Sequence, residues 1–191
     1  MTQMDQPIEE EKKAPLYTKY PITSNITYNG VTILHFLLGG FGIILGYEYT
    51  PLAYLLAILY ITIALAGMYV IMPSVVCPNC VYYGLKDSRC ISGMNLVSRR
   101  IKKKGDPKNF PNRGKGLFCH NNLYMASLFF PIVAMIPALI LNFSPVLLAI
   151  FASVVALLLY RFFIIFPRIA CIHCRAKYKC PNAQAMGLHL T

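Results

Sequence analysis

The chain has 191 residues, 57% of them hydrophobic, and carries 18 Lys and Arg against 7 Asp and Glu for a net charge of +11. Soluble domains are about 45–50% apolar, so a mean hydropathy of +0.53 excludes an ordinary soluble domain. No aromatic-interleaved basic surface accompanies the positive charge, so nucleic acid is not an expected partner.

The first 30 residues are polar, acidic at Glu9, Glu10 and Glu11 and then basic. They lack the apolar core of a cleavable signal. Residues 1–20 read as a flexible cytoplasmic tail or docking strip. Four apolar runs follow, at residues 31–47, 51–72, 122–142 and 145–166. Uncharged runs of about 18 or more residues read as membrane spans. The first run carries Gly39, Gly40, Gly42 and Gly46. Gly42 and Gly46 form a small-xxx-small pair, which lets helices approach closely. His35 lies one turn inside. It could ligate a haem or metal, or bond a neighbouring chain segment. The second run opens with Thr50 as a helix cap and Pro51 at the first helical position. Tyr47, Tyr49 and Tyr54 suit an outer aromatic belt. In the third run Pro131 and Pro137 should bend the helix and free carbonyls. Arg161 lies near the end of the fourth, where its long side chain should reach the headgroups.

Ten of the 18 basic residues lie between Cys77 and Asn121, four follow Pro167 and three precede the first run. The linkers at 48–50 and 143–144 have none. Basic residues flanking short loops mark the cytoplasmic side. This predicts a multi-pass cell-membrane protein with both termini and the 77–121 loop in the cytoplasm. Arg99, Arg100, Lys102, Lys103 and Lys104 form a polybasic strip that could hold anionic lipid.

The frame Thr/Ser-Pro-x21-Pro-x3-Cys-x2-Cys occurs twice, from Thr50 and from Ser144, at an offset of 94 residues. The expected fold is therefore an all-α integral membrane protein. Its four transmembrane helices form two tandem two-helix repeats, related by a pseudo-two-fold axis along the membrane normal. Each repeat is followed by a cytoplasmic cysteine-rich, metal-binding segment. The divisions are residues 1–30 (tail), 31–94 (repeat 1), 95–119 (basic loop) and 120–191 (repeat 2).

Each repeat supplies a trio, Cys77, Cys80 and Cys90 in the first and Cys171, Cys174 and Cys180 in the second. Two thiolates separated by two residues can wrap one metal ion or one face of a cluster. A structural disulfide is disfavoured in the cytoplasm. The expected cofactor is an iron–sulfur cluster or zinc. Cys119, with His120 beside it, could complete the first trio as a fourth ligand. His189 suits the second better than His173, which lies between two ligands. Cys180-Pro181 favours iron–sulfur, because a Cys-Pro step closes some cluster motifs. The reading that follows is a membrane subunit passing electrons between a cytoplasmic redox enzyme and the membrane. A zinc-stabilised scaffold that docks a cytoplasmic partner is the alternative. A thiol–disulfide oxidoreductase or a small transporter are further ones. The spans contain no acidic residue, which argues against ion-coupled transport.

Overall fold

The computed structural model describes residues 14–114, 116 and 119–187. It is helical throughout, and the described residues contain isolated bridges but no strand. Four helices are long and apolar enough to cross a membrane: Ile22–Gly46, Pro51–Asn79, His120–Leu141 and Pro145–Ala170.

Helix α1 (Ile22–Gly46) begins at Ile22, before the apolar run does, so residues 22–30 extend the span instead of a tail. α2 (Pro51–Ala66) is capped as its sequence implies, with Thr50 Oγ1 accepting from Ala53 N at 3.3 Å. It continues as a π-helical segment, Gly67–Val76. Short helices α3 (Val81–Gly84) and α4 (Met94–Ile101) follow. α5 (His120–Leu141) and α6 (Pro145–Tyr160) complete the bundle. A second π segment, Arg161–Ala170, extends α6, and α7 (Pro181–Ala185) lies near the end.

α1 packs against α2, α5 and α6. Its most apolar window is 44% buried, against 22% for each of the others, so α1 is the central helix. Its glycines make this possible. A Cβ on Gly46 would lie 2.7 Å from Ala138 Cβ, and one on Gly39 2.7 Å from Pro131 Cβ. Backbone approach that close excludes any side chain.

The prolines of α5 do not break it. Pro131 has no N–H to donate to Ser127 O, four residues back. Tyr60 Oη donates there at 3.1 Å instead. His35 Nε2 bonds Leu128 O at 3.0 Å, and Tyr47 Oη donates to Ala134 O at 2.9 Å, three residues before Pro137. Side chains of α1 and α2, with Tyr47 just beyond α1, thus serve a carbonyl vacated by a proline and two beside such positions. His35 bonds a neighbouring helix, as one of its two readings held. The freed backbone is used for packing.

α2 and α6, with their π extensions, have bounds that coincide when shifted by 94 residues. Their buried faces correspond too. Ala53, Tyr60 and Ala64 match Leu147, Val154 and Leu158. Pro73 and Pro167 sit inside the π segments. A proline ring clashes with the carbonyl four residues back in an α-helix, and the wider π turn relieves that clash. Cys77 N bonds Met72 O and Cys171 N bonds Phe166 O, so each π segment delivers a cysteine at its end.

Candidate functional site

Beyond each π segment the chain turns tightly. Cys80 N donates to Cys77 O at 3.1 Å, and Cys174 N to Cys171 O at 3.1 Å. The same turn therefore presents both Cys-x2-Cys pairs. Cys90 is positioned separately. Its N–H donates to Asn95 Oδ1 at 3.0 Å, and its carbonyl accepts from Asn25 Nδ2 at 2.8 Å. Asn95 Nδ2 in turn donates to Ser88 O at 2.9 Å, pinning the loop onto α4.

These elements bring six cysteines together. Cys77, Cys80, Cys90, Cys171, Cys174 and Cys180 all line one cavity of about 130 Å³. The two trios thus face a shared space instead of two separate ones. Its wall also includes His120, Tyr28, Tyr124 and Phe166, and no acidic residue among those described. All seven cysteines are free thiols. Among the described residues, no three His, Cys, Asp or Glu side chains are grouped closely enough to hold a metal ion. The thiols surround a void; they do not meet at a point. Burial pushes the Cys174 thiol pKa well up, and the nearby Cys80, Cys171 and Cys180 push the same way against the bond from Ala176.

Cys119 and His173 are not among the residues that line this cavity. Cys119 caps α5, its Sγ accepting from Asn122 N at 3.4 Å. It faces a neighbouring groove of about 510 Å³, lined also by Ile71, Val75, Asn79 and His120. His120 borders both spaces, so it and not Cys119 joins the six. Adjacency to Cys119 was the one sequence signal for it. His173 stacks on Tyr17, ring centroids 4.4 Å apart, and its Nδ1 bonds Pro15 O at 2.9 Å. His189 lies outside the described residues.

A strap at residues 17–20 crosses both halves of the site, so this part of the segment is docked, as one of its two readings held. Tyr17 N donates to His173 O at 3.0 Å and Tyr20 N to Arg89 O at 2.9 Å. Tyr82 Oη donates to Tyr17 O at 2.7 Å. Tyr20 is fully buried and its hydroxyl donates to Ala170 O. Burial raises the phenol pKa of Tyr20 and of Tyr82, the nearby Cys174 adding to both.

Two basic residues also depart from their reading. Arg99 is turned inward. Its guanidinium donates to Tyr83 O at 3.1 Å, Tyr82 O at 2.7 Å, Leu85 O and Ser88 Oγ, clamping the 82–88 loop. That leaves Arg100, Lys102, Lys103 and Lys104 as the exposed part of the strip. Arg161 does not reach the headgroups. It is 1% exposed, its Nη2 donating to Thr32 Oγ1. Its guanidinium carbon lies 5.0 Å from the ring centre of Tyr28, 5.5 Å from Tyr124 and 5.6 Å from Phe166. Nε and Nη1 have no hydrogen-bond partner. Burying a charge is costly unless it is paired and hydrogen-bonded, so a position this enclosed needs compensation.

Comparison with protein-family models, with curated proteins and with solved structures finds no match to this chain.

Proposed function

We propose that this chain is a membrane subunit whose six convergent cysteines hold an iron–sulfur cluster at the cytoplasmic face. In this reading it relays electrons between a cytoplasmic redox partner and the membrane. The observation that carries it is the single cavity lined by thiols from both halves. The donor set fits. Thiolate and imidazole are soft ligands suited to iron–sulfur clusters and zinc, whereas magnesium and calcium call for carboxylates. Size favours the cluster. One water needs a cavity of about 10–15 Å³, and about 130 Å³ accommodates a polyatomic group. A lone tetrahedral zinc would draw four thiolates onto a single point.

When bound, such a group supplies one-electron transfer at a potential set by charge, hydrogen bonds and solvent exposure. The chain's own residues exclude water and fix the ligands. Phe110, Val76 and Ala176 are buried beside Cys80, Cys174 and Cys180. Tyr82 forms part of the cavity's wall and is held by the strap through its bond to Tyr17 O. The elevated Cys174 pKa means that ligation must displace a proton, so metal uptake releases protons and strengthens with pH.

The topology belongs to the same proposal. Both termini are cytoplasmic, and the two halves are tandem repeats about an axis along the membrane normal. The equal offset of helix bounds, π segments and Cys-x2-Cys turns supports the duplication. The distribution of basic residues supports the orientation. Arg100, Lys102, Lys103 and Lys104 remain available to anionic headgroups or to an acidic partner surface.

Metal analysis and a visible spectrum of the anaerobically purified chain test the function. Iron with acid-labile sulfide and broad visible absorption supports it. Stoichiometric zinc without a visible band overturns it in favour of the zinc-stabilised scaffold.

A further inference from the structure

A buried charge with two unused donors is costly to retain. Among the described residues no carboxylate pairs with Arg161, whose guanidinium bonds the Thr32 hydroxyl through Nη2 and leaves Nε and Nη1 without a hydrogen-bond partner. The turn it occupies does not require it. Gly67 holds the matching first position of the other π segment, 94 residues earlier, and a Cβ there would meet nothing within 4 Å. The same backbone therefore forms without a side chain at this position. What distinguishes Arg161 is its surroundings. Tyr28, Tyr124 and Phe166, the three rings that enclose its guanidinium, also form part of the cysteine cavity's wall. The charge stands directly behind the cavity, separated from it by aromatic side chains. Neutral thiols would give it nothing to neutralise. Thiolates would.

We propose that Arg161 is the counter-charge of the cysteine cavity, and that the group held there is a net anion, a thiolate-ligated metal cluster. This rests on the function proposed above and adds the sign of the bound group's charge and the residue that balances it. Arg161 acts as a positioning and tuning residue, without ligating. A fixed positive charge in a poorly solvated region stabilises the more negative, reduced form of such a group, and so raises its reduction potential.

The test uses the full chain in detergent, anaerobically reconstituted with iron and sulfide, as wild type and as Arg161→Lys, Arg161→Met and Arg161→Gln. Potentials are read by redox titration followed by electron paramagnetic resonance. The same four proteins, without iron, are titrated with Co²⁺ and followed by the thiolate-to-cobalt absorption. The expected result is a full iron and sulfide content in all four. The midpoint potential falls in both neutral variants and stays near wild type in the lysine variant. Cobalt affinity falls on the order of tenfold in the neutral variants, equivalent to about 1.4 kcal/mol. Unchanged potentials in neutral variants that hold a full cluster overturn the counter-charge and leave the proposed function standing. A wild type that assembles no cluster but binds Co²⁺ in an Arg161-dependent way overturns the iron–sulfur reading and supports the anionic thiolate site. Where no cluster assembles, cobalt binding that ignores position 161, or no cobalt binding at all, overturns both. Loss of folded protein in both neutral variants makes the role structural and overturns the proposal.

Discussion

The two π segments share a backbone and differ in what they carry. Gly67–Val76 starts with a glycine and buries Met68, Pro73 and Val76. Arg161–Ala170 starts with a buried arginine and adds Ile165, Phe166 and Ala170 to the interior. Both end by handing over a cysteine pair in the same turn. The backbone frame is thus separable from the electrostatics. Proline and the wide turn set where the thiols emerge, and the side chains of one half alone set the charge behind them.

The largest test of that comparison asks whether the halves act as one site. Cys80→Ser and Cys174→Ser, one from each half, should each abolish metal retention by the anaerobically purified chain. Two independent sites would instead leave about half of the iron or zinc in each variant, which elemental analysis would show. Gly46→Leu should come next. Its Cβ meets Ala138 at 2.7 Å and Leu147 at 3.4 Å. Overpacking of this kind costs about 1–3 kcal/mol, visible as a lower melting temperature in detergent. A third test uses pH on metal-free protein. Folding holds the Cys174 pKa above its ordinary 9.0. The stability this contributes is present below that value and lost as pH rises through it, because the unfolded chain then ionises while the folded thiol stays protonated. Stability should fall by about 1.4 kcal/mol per pH unit per such group. A melting temperature flat from pH 8 to 10 would refute it. Gly67→Ala should have the smallest effect. Its φ of −55° suits alanine and its surroundings are open. A gain of about 0.5 kcal/mol is expected, and a marked loss would show that the first half needs its glycine.

The spans were legible in the sequence because an uninterrupted apolar run has few other uses. The close-packing glycines were legible for the same reason, since Gly42 and Gly46 fall one turn apart on one helical face. The doubled Cys-x2-Cys frame was legible as a pattern. A parallel repeat puts both trios on one side of the bundle; that they line a single cavity was not legible, because spacing along the chain does not give the distance between them. Cys119 was misplaced for a local reason. A residue immediately before a helix can spend its side chain on the cap, and its sulfur does so. Arg161 was misplaced because its position near a span end allows either an outward or an inward side chain. Thr32 and Tyr28 of α1, Tyr124 of α5 and Phe166 of its own π segment decide between them. Arg99 followed the same logic, with carbonyls of the 82–88 loop in place of headgroups.

The strap has a consequence for the order of assembly. Tyr17 precedes the first of the four long apolar helices, and its backbone partner, His173, follows the last. Pairings so distant in sequence form late in folding. The first three long helices can pack and the Cys77–Cys80 turn can form while the strap at 17–20 still lacks this partner. The strap therefore joins the two halves only after the segment that carries His173 has been made. The bonds of Tyr17 to His173 and of Tyr20 to Ala170 are thus among the last contacts to form.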